Sequence, residues 1–314
     1  MIINENVLSK EEYLSYNLRE LYLGFGFKQY KMSKFEEYDL YAKNKDFLVS
    51  NEVITFTDTD GRLLALKPDV TLSIIKNGKD ETAEKLFYDE KVYRVDKGTK
   101  SFKEITQVGI ENIGNISDEE VSKTLYLAMK SLEKASSDYI LEITDLDIVS
   151  ELLSCYNLSK PAQKEILKNL SSKNAFGVKS VCESEGLNEE EIAVITSLTK
   201  IFGSPKSVKN SLNSLKVGKS VKSAVERFEK IIENLYKLIP ESDFEKIRID
   251  FSVVEDLRYY NGIAFKGFIL GAPNRVLSGG QYDNLMKKMN RTSKAIGFAV
   301  YIDELAKIRS KGDK

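Results

Sequence analysis

The stretch EKLFYDEKVYRVDKGTKSFKEITQVGIENIG, residues 84–114, decides the fold class. EKLFYDEKVYRV and FKEITQVGIENIG each mix β-branched and aromatic residues with polar ones, as strands do, and the polar loop DKGTKS joins them. Upstream, NEVITFTDTDGRLLALKP (51–68) reads as a hairpin. Val53, Ile54 and Phe56 lie on one arm, TDTDG forms the turn, and Leu63, Leu64 and Leu66 lie on the other. Pro68 ends that arm, and Asp69 is placed to cap the helix VTLSIIKNG. Nearer the N-terminus, Ser9-Lys-Glu-Glu12 is a capping box. Its helix carries Tyr13, Leu14, Leu18, Leu21 and Tyr22 at helical spacing, Gly24 and Gly26 can end it, and FKQYKM then alternates like a strand.

Downstream, Ser117-Asp-Glu-Glu120 is a second capping box, and Val121, Leu125, Ala128 and Leu132 continue the apolar face of its helix. YILEI is a short strand. From about residue 147 to 238 the pattern turns mostly helical and rich in Lys, Ser and Asn. IRIDFSVV, RYYNGIAFKGFIL and NRVLSGG return to strands, QYDNLMKKM to a helix, and IGFAVYIDEL (296–305) to a strand that breaks into a helix. Strands early, helices in the middle and strands late predict an α+β class. The expected division is a discontinuous core of residues 1–155 and 240–314 with a mostly helical insertion at 156–239.

The 314 residues are 42% hydrophobic, enough for a sizeable core. With 47 Lys and Arg against 48 Asp and Glu, the net charge of −1 argues against a general nucleic-acid coat. No run of about 18 apolar residues predicts a membrane span. The N-terminus lacks the order of a signal peptide. Cys155 and Cys182 are unpatterned and point to a reducing, cytoplasmic setting without a disulfide frame or zinc site. Histidine is absent, so catalytic triads with a histidine base and His metal ligands are excluded, and no metal or cofactor is expected.

Several signals carry an ordinary and a functional reading. Gly279-Gly280 at a strand end is ordinarily a tight turn; functionally it lets a backbone approach a ligand. Neither a Walker pattern nor G-x-G-x-x-G is present. Lys206, Lys209, Lys216, Lys219 and Lys222 form an acid-free run that suits a solvated face better than an RNA surface, since aromatic interleaving is missing. Asn188 before Glu189, Glu190 and Glu191 reads as a helix N-terminus. Arg94 could clamp a carboxylate, Gln107 and Glu111 could accept from N–H groups, and Tyr259 or Tyr260 could supply a wall and a hydroxyl. At IGFAVYIDEL, a junction built like a nucleotide pocket offers Asp303 and Glu304 instead of positive charge.

GRLLALKPDVT, KLFYDEKVYRVDKGTKSFKEITQVGIENIG, DLRYYNGIAF and SGGQYDNL with AIGFAVYIDEL together resemble histidyl-tRNA synthetase, in that family's order and approximate spacing. The match covers roughly residues 1–145 and 247–309. It implies a class II aminoacyl-tRNA synthetase-like antiparallel sheet flanked by helices, and a homodimer through a first motif containing LYLGFGFKQYKMSKFEE, in which Ser33 replaces the family's proline. The family's histidine pocket carries over to Asp69, Thr71, Arg94, Gln107, Glu111 and Tyr260, with Tyr259 beside it. Glu255 stands at the family's catalytic arginine and Glu304 at the arginine that packs on ATP; Gln281 replaces the arginine of GGRYD. Each Arg→Glu change turns attraction for phosphate into repulsion, about 3 kcal/mol per unit-charge pair at about 5 Å and an effective dielectric of about 20. Aminoacylation is therefore expected to be lost. The chain also stops soon after the third motif, leaving no expected room for an anticodon-binding domain.

A kept amino-acid pocket without adenylation groups resembles one branch of these paralogues, the regulatory subunits of ATP phosphoribosyltransferase. That branch implies no catalytic residue of its own, a short-form catalytic subunit as partner, histidine as feedback effector, and a homodimer within a hetero-octamer, in the first step of histidine biosynthesis. A truncated amino-acid-activating enzyme and a tRNA-binding regulator are the alternatives.

Overall fold

The computed structural model describes residues 7–48, 52–78, 83–96, 98–254 and 259–308. The chain begins with α1 (Lys10–Gly24), β1 (Lys28–Gln29), β2 (Phe35–Glu37), α2 (Tyr38–Lys43), β3 (Thr55–Thr57), β4 (Leu63–Leu66), α3 (Thr71–Asn77), β5 (Glu84–Val95), β6 (Phe102–Gly114) and α4 (Asp118–Glu133). It continues with β7 (Tyr139–Asp145), α5 (Leu146–Ser154), α6 (Lys160–Ser171), α7 (Ala175–Ser184), α8 (Glu189–Ser197), β8 (Phe202–Gly203), α9 (Pro205–Asn213), α10 (Lys219–Tyr236), β9 (Ile247–Asp250) and β10 (Asn261–Ile269). β11 (Leu277–Gln281), α11 (Asp283–Lys288), β12 (Lys294–Tyr301) and α12 (Ile302–Ala306) complete it. Two compact units result: residues 1–116, 128–139 and 267–314 form the first, and residues 117–127 and 140–266 the second. The segment 156–239, expected as a helical insertion, lies within the second unit, which also takes in residues 117–127, 140–155 and 240–266.

In the first unit a sheet runs in the order β1-β5-β6-β12-β11. β5–β6, β6–β12 and β12–β11 are antiparallel. β1 pairs with β5 in parallel, because the chain between them makes a long excursion through β2, β3, β4 and three short helices, enough for a crossover. The expected capping box forms: Ser9 Oγ accepts from Glu12 N, and Glu12 answers by accepting from Ser9 N. α1 then buries Leu14, Leu18 and Tyr22. The expected hairpin forms as β3–β4, with β2 on the other edge of β4. Its turn is tied by Asp58, whose Oδ1 accepts from Asp60 N and Arg62 N, and Gly61 supplies the left-handed residue at φ 80°.

Strand β6 is buried continuously from Gln107 to Ile113, so both of its faces are covered. Where it passes β12, Glu111 lies directly opposite Gly297. A Cβ on Gly297 would sit 1.9 Å from Glu111 Oε2 and 2.5 Å from the Ile110 carbonyl oxygen. No rotamer change clears the backbone contact, so glycine is required there.

In the second unit β7 and β9 pair in parallel and β8 joins β9 antiparallel. α8 starts at the helix N-terminus expected after Asn188, where Asn188 and Glu191 form a capping box. α10 buries Val221, Val225, Phe228, Ile231, Ile232 and Leu235 along one face. The lysine run is a mixed-charge surface: Lys209 pairs with Glu229 at 2.9 Å and with Glu233, and Lys216 lies 3.6 Å from Glu190. Arg227 on α10 reaches Asp118 at 3.1 Å, Asp147 at 3.2 Å and the fully buried Asp145 at 3.8 Å. Burial pushes Asp145 up to about 7, Asp147 adds to this, and Arg227 opposes it.

Two stability predictions follow from these contacts. Gly297→Ala should lower unfolding free energy by about 3 kcal/mol, read as a lower denaturation midpoint at unchanged slope. Arg227→Met removes the cation from a buried acid and should cost about 3 kcal/mol at pH 8. The folded-state value of Asp145 lies above that of the unfolded chain, so its ionisation opposes folding as pH rises. The loss should accordingly shrink toward pH 5, where Asp145 is protonated.

Candidate functional site

The site begins where Pro68 halts the chain after β4. Asp69 follows, buried, and its Oδ1 accepts from Leu72 N at 2.9 Å, fastening the start of α3 as expected. Burial raises the Asp69 carboxyl; the Leu72 N–H, the Arg94 charge and the Thr71 N–H oppose that rise. Thr71, the first residue of α3, donates its hydroxyl to Glu111 Oε1 at 2.7 Å. Glu111 Oε2 takes a second hydroxyl, that of Tyr282, at 2.5 Å. Tyr282 stands in the turn between β11 and α11, so one carboxyl joins α3, β6 and the β11–α11 turn above Gly297 of β12.

Glu111 is 2% exposed. Burial pushes its carboxyl up to about 8 against the opposing Tyr282 and Thr71 hydrogen bonds, with Asp69 adding to the rise. The alternation of β6 puts Gln107 and Glu111 on one face. Arg94, opposite Lys103, shares it. Arg94 Nε donates to the Pro68 carbonyl at 3.0 Å. Among the described residues no carboxylate is bonded to its two Nη groups, which are left for an anion. Gln107 is 4% exposed and its side chain makes no hydrogen bond among the described residues, so a buried amide faces the site with donor and acceptor unspent. Behind it, the fully buried Lys67 pairs with Glu90, the residue opposite Gln107 on β5, at 2.5 Å.

The structure thus brings Asp69, Thr71, Arg94, Gln107 and Glu111 into the first unit. Tyr259 and Tyr260 belong to the second, half-buried, with their rings edge to face and centroids 4.7 Å apart. Glu255 lies outside the described residues. Tyr282 and Lys67 escaped the sequence reading. The signal for Tyr282 was its place after Gly279-Gly280-Gln281 at a strand–helix junction; Lys67 gave no local signal, because its partner is 23 residues away.

The acids of IGFAVYIDEL have structural partners. Asp303 Oδ2 accepts from Thr106 N at 2.6 Å, taking over the β6 ladder where β12 ends. Glu304 accepts from Lys307 Nζ at 2.6 Å and Asn274 Nδ2 at 3.1 Å. Partial burial would raise Glu304, but those bonds hold it below the usual range. In the 96–103 loop, Lys103 pairs with Asp96 and Lys100 with Glu52. Lys100 and Lys103 are thus each paired with an acid.

The donors and acceptors gathered here suit an α-amino acid with a polar side chain. Asp69 can take the ammonium, Arg94 the carboxylate, and Glu111 with Gln107 the side-chain N–H groups. Among the described residues no group of three or more Asp, Glu or Cys could hold a metal ion, and no helix is long and apolar enough to cross a membrane.

Comparison with known proteins gives the family. The family model described as histidyl-tRNA synthetase matches residues 4–305. An ATP phosphoribosyltransferase regulatory subunit from Alkaliphilus metalliredigens is 27% identical over 95% of this chain and 76% of its own. Its namesake from Caldanaerobacter subterraneus is 28% identical over 91% of this chain and 75% of its own. Among solved structures, an ATP phosphoribosyltransferase regulatory subunit/histidyl-tRNA synthetase from Bacillus halodurans superposes with a TM-score of 0.83 at 22% identity, covering 96% of this chain and 79% of that one. An ATP phosphoribosyltransferase complex from Thermotoga maritima contains a chain that superposes with a TM-score of 0.73 at 16% identity, covering 93% and 97%. The chain belongs to the histidyl-tRNA synthetase family, and the curated relatives it resembles are ATP phosphoribosyltransferase regulatory subunits.

Proposed function

We propose that this chain is the non-catalytic regulatory subunit of ATP phosphoribosyltransferase and that its first-unit pocket takes free histidine as feedback effector. The observation that carries this reading is that Asp69, Arg94, Gln107 and Glu111, which the family resemblance assigns to the amino acid, lie together in the first unit. Asp69, Gln107 and Glu111 are buried, while Glu304 is an acid bonded to Lys307, and Lys103 and Lys100 are paired with Asp96 and Glu52. The relatives' shared name supports the same role. The partner is the short-form catalytic subunit, which joins ATP to phosphoribosyl pyrophosphate. Histidine favours an inhibited arrangement of the complex, and a coupling of about 1–3 kcal/mol suffices for feedback. The setting is the cytoplasm.

The chain pairs with a second copy through the small β2-β4-β3 sheet. Phe35 and Phe56 meet edge to face across it with centroids 5.7 Å apart. Phe35 is 47% and Phe56 38% exposed. Leu64 and Leu66 alternate onto the same face. This apolar face lies in and beside the motif that resembles the family's dimer motif, which selects a second copy as its occupant, with dimers assembling into a hetero-octamer.

Co-expression with the short catalytic subunit of the same genome should give an active complex inhibited by histidine. Gln107→Ala should raise the half-inhibiting histidine concentration at least tenfold, the effect of about 1.4 kcal/mol of lost binding. The same protein should show background ATP–pyrophosphate exchange with histidine; measurable exchange would favour the amino-acid-activating alternative. Phe35→Lys should shift the isolated chain from dimer to monomer in light scattering.

A further inference from the structure

We propose that the pocket binds its effector together with exactly one shared proton: Glu111 waits as a neutral acid and passes its proton to a ring nitrogen of the ligand. This deepens the reading of the site as a histidine pocket and rests on it. The argument starts from what surrounds Glu111 on every side. From α3 come the Thr71 hydroxyl and, just before the helix, the Asp69 carboxyl. From β5 comes Leu86, directly opposite, and from β12 comes Gly297. From the β11–α11 turn comes the Tyr282 hydroxyl. Among the described residues no cation is bonded to Glu111, and the charged group that acts on it is another acid.

A carboxylate at 2% exposure with only hydroxyl partners has lost its water and gained no counter-ion. It is therefore held in the neutral form well above the ordinary range. A protonated carboxyl keeps both hydroxyl contacts, because a hydroxyl can accept as well as donate. Arg94 cannot replace the missing cation: it is bonded to the Pro68 carbonyl and acts on Asp69.

The ligand chemistry follows. An aliphatic side chain offers the acid's proton no acceptor. A permanently cationic side chain demands that Glu111 discard its proton to solvent first. A weakly basic ring, neutral in solution near pH 7 and able to accept a proton on contact, does neither. In the step the Glu111 O–H bond breaks and a ring N–H bond forms. The electron pair of the ring nitrogen takes the proton, nothing else changes, and a carboxylate–imidazolium pair results.

The consequence is a bell-shaped affinity. Between the imidazole value of about 6.5 and the Glu111 value, free protein and free ligand together hold the one proton the complex needs. Above that window both are deprotonated, a proton must come from solvent, and affinity should fall up to tenfold per pH unit. Below it both are protonated, one must leave, and affinity falls likewise.

Titration calorimetry of the chain with histidine, in buffers of different ionisation enthalpy between pH 5.5 and 9, reads this directly. On the alkaline side of the window the wild type should take up more proton on binding than Glu111→Gln, because the ionised part of Glu111 must be reprotonated. The α-amino group of the ligand contributes equally to both proteins and cancels. Thr71→Val, which removes a bond that lowers the Glu111 value, should move the alkaline limb to higher pH. Equal proton uptake by wild type and Glu111→Gln, or an alkaline limb unmoved in Thr71→Val, would overturn the proton transfer while leaving the histidine site standing. Absence of histidine binding by the wild type at every pH would overturn the site and the proposal together.

Discussion

The site depends on one contact, the carboxyl of Glu111 lying over Gly297. β6 and β12 are neighbouring strands, and any side chain at 297 would collide with the carboxyl and with the strand behind it. With glycine there, Glu111 lies flat between the strands and meets Thr71 from α3 on one oxygen and Tyr282 from the β11–α11 turn on the other. The three segments come from residues 71, 111 and 282, far apart in the chain. The ladder of β6, β12 and β11 and the bond from Arg94 to Pro68 bring the same segments together, and the buried carboxyl ties them at one point. Satisfied networks of this kind specify one arrangement because a half-satisfied one costs more than an apolar core.

The distribution of charge separates a binding pocket from a transfer site. Adenylation concentrates negative charge on a triphosphate and requires cations placed before it arrives. Here Lys103 and Lys100 are bonded to Asp96 and Glu52, and the helix after β12 presents two acids already engaged in holding the sheet edge and α12. Asp303 shows the trade plainly. Its oxygen completes the hydrogen-bonding of Thr106 at the end of β12, and a phosphate could not share that place without charge repulsion. By contrast, Gln107 and the Nη groups of Arg94 remain uncommitted, as an amino-acid cradle needs.

Much of the first unit was legible in the sequence because its signals are local. Ser9 with Glu12, Asp58 with Gly61, and Asp69 before α3 act over a few residues, and each fixed an element where expected. β5 and β6 were legible for a different reason: their length and alternation outweigh any helical pattern. Illegible were the contacts that need the folded sheet. Lys67 finds Glu90 and Tyr282 finds Glu111 only after the strands have aligned. The lysine run resisted for the same reason, since Glu229, Glu233 and Glu190 lie on other helices. The parallel pairing of β1 was hidden too, because two residues of strand carry no directional pattern of their own.

A ligand can bias an assembly only by binding one of its arrangements better than another. An amino acid in the proposed pocket would touch α3 through Asp69 and Thr71, β5 through Arg94, and β6 through Gln107 and Glu111. In the unliganded chain α3 is already tied to β6 through one carboxyl, and to β5 through the bond from Arg94 to Pro68. The ligand would therefore add bonds along existing lines instead of opening a new interface. Its effect would be to stiffen the sheet against α3, and a stiffened first unit presents a partner with fewer conformations to select from. Feedback of that kind needs no reactive group in the regulatory chain, so it would leave a synthetase-like scaffold a use for an amino-acid pocket.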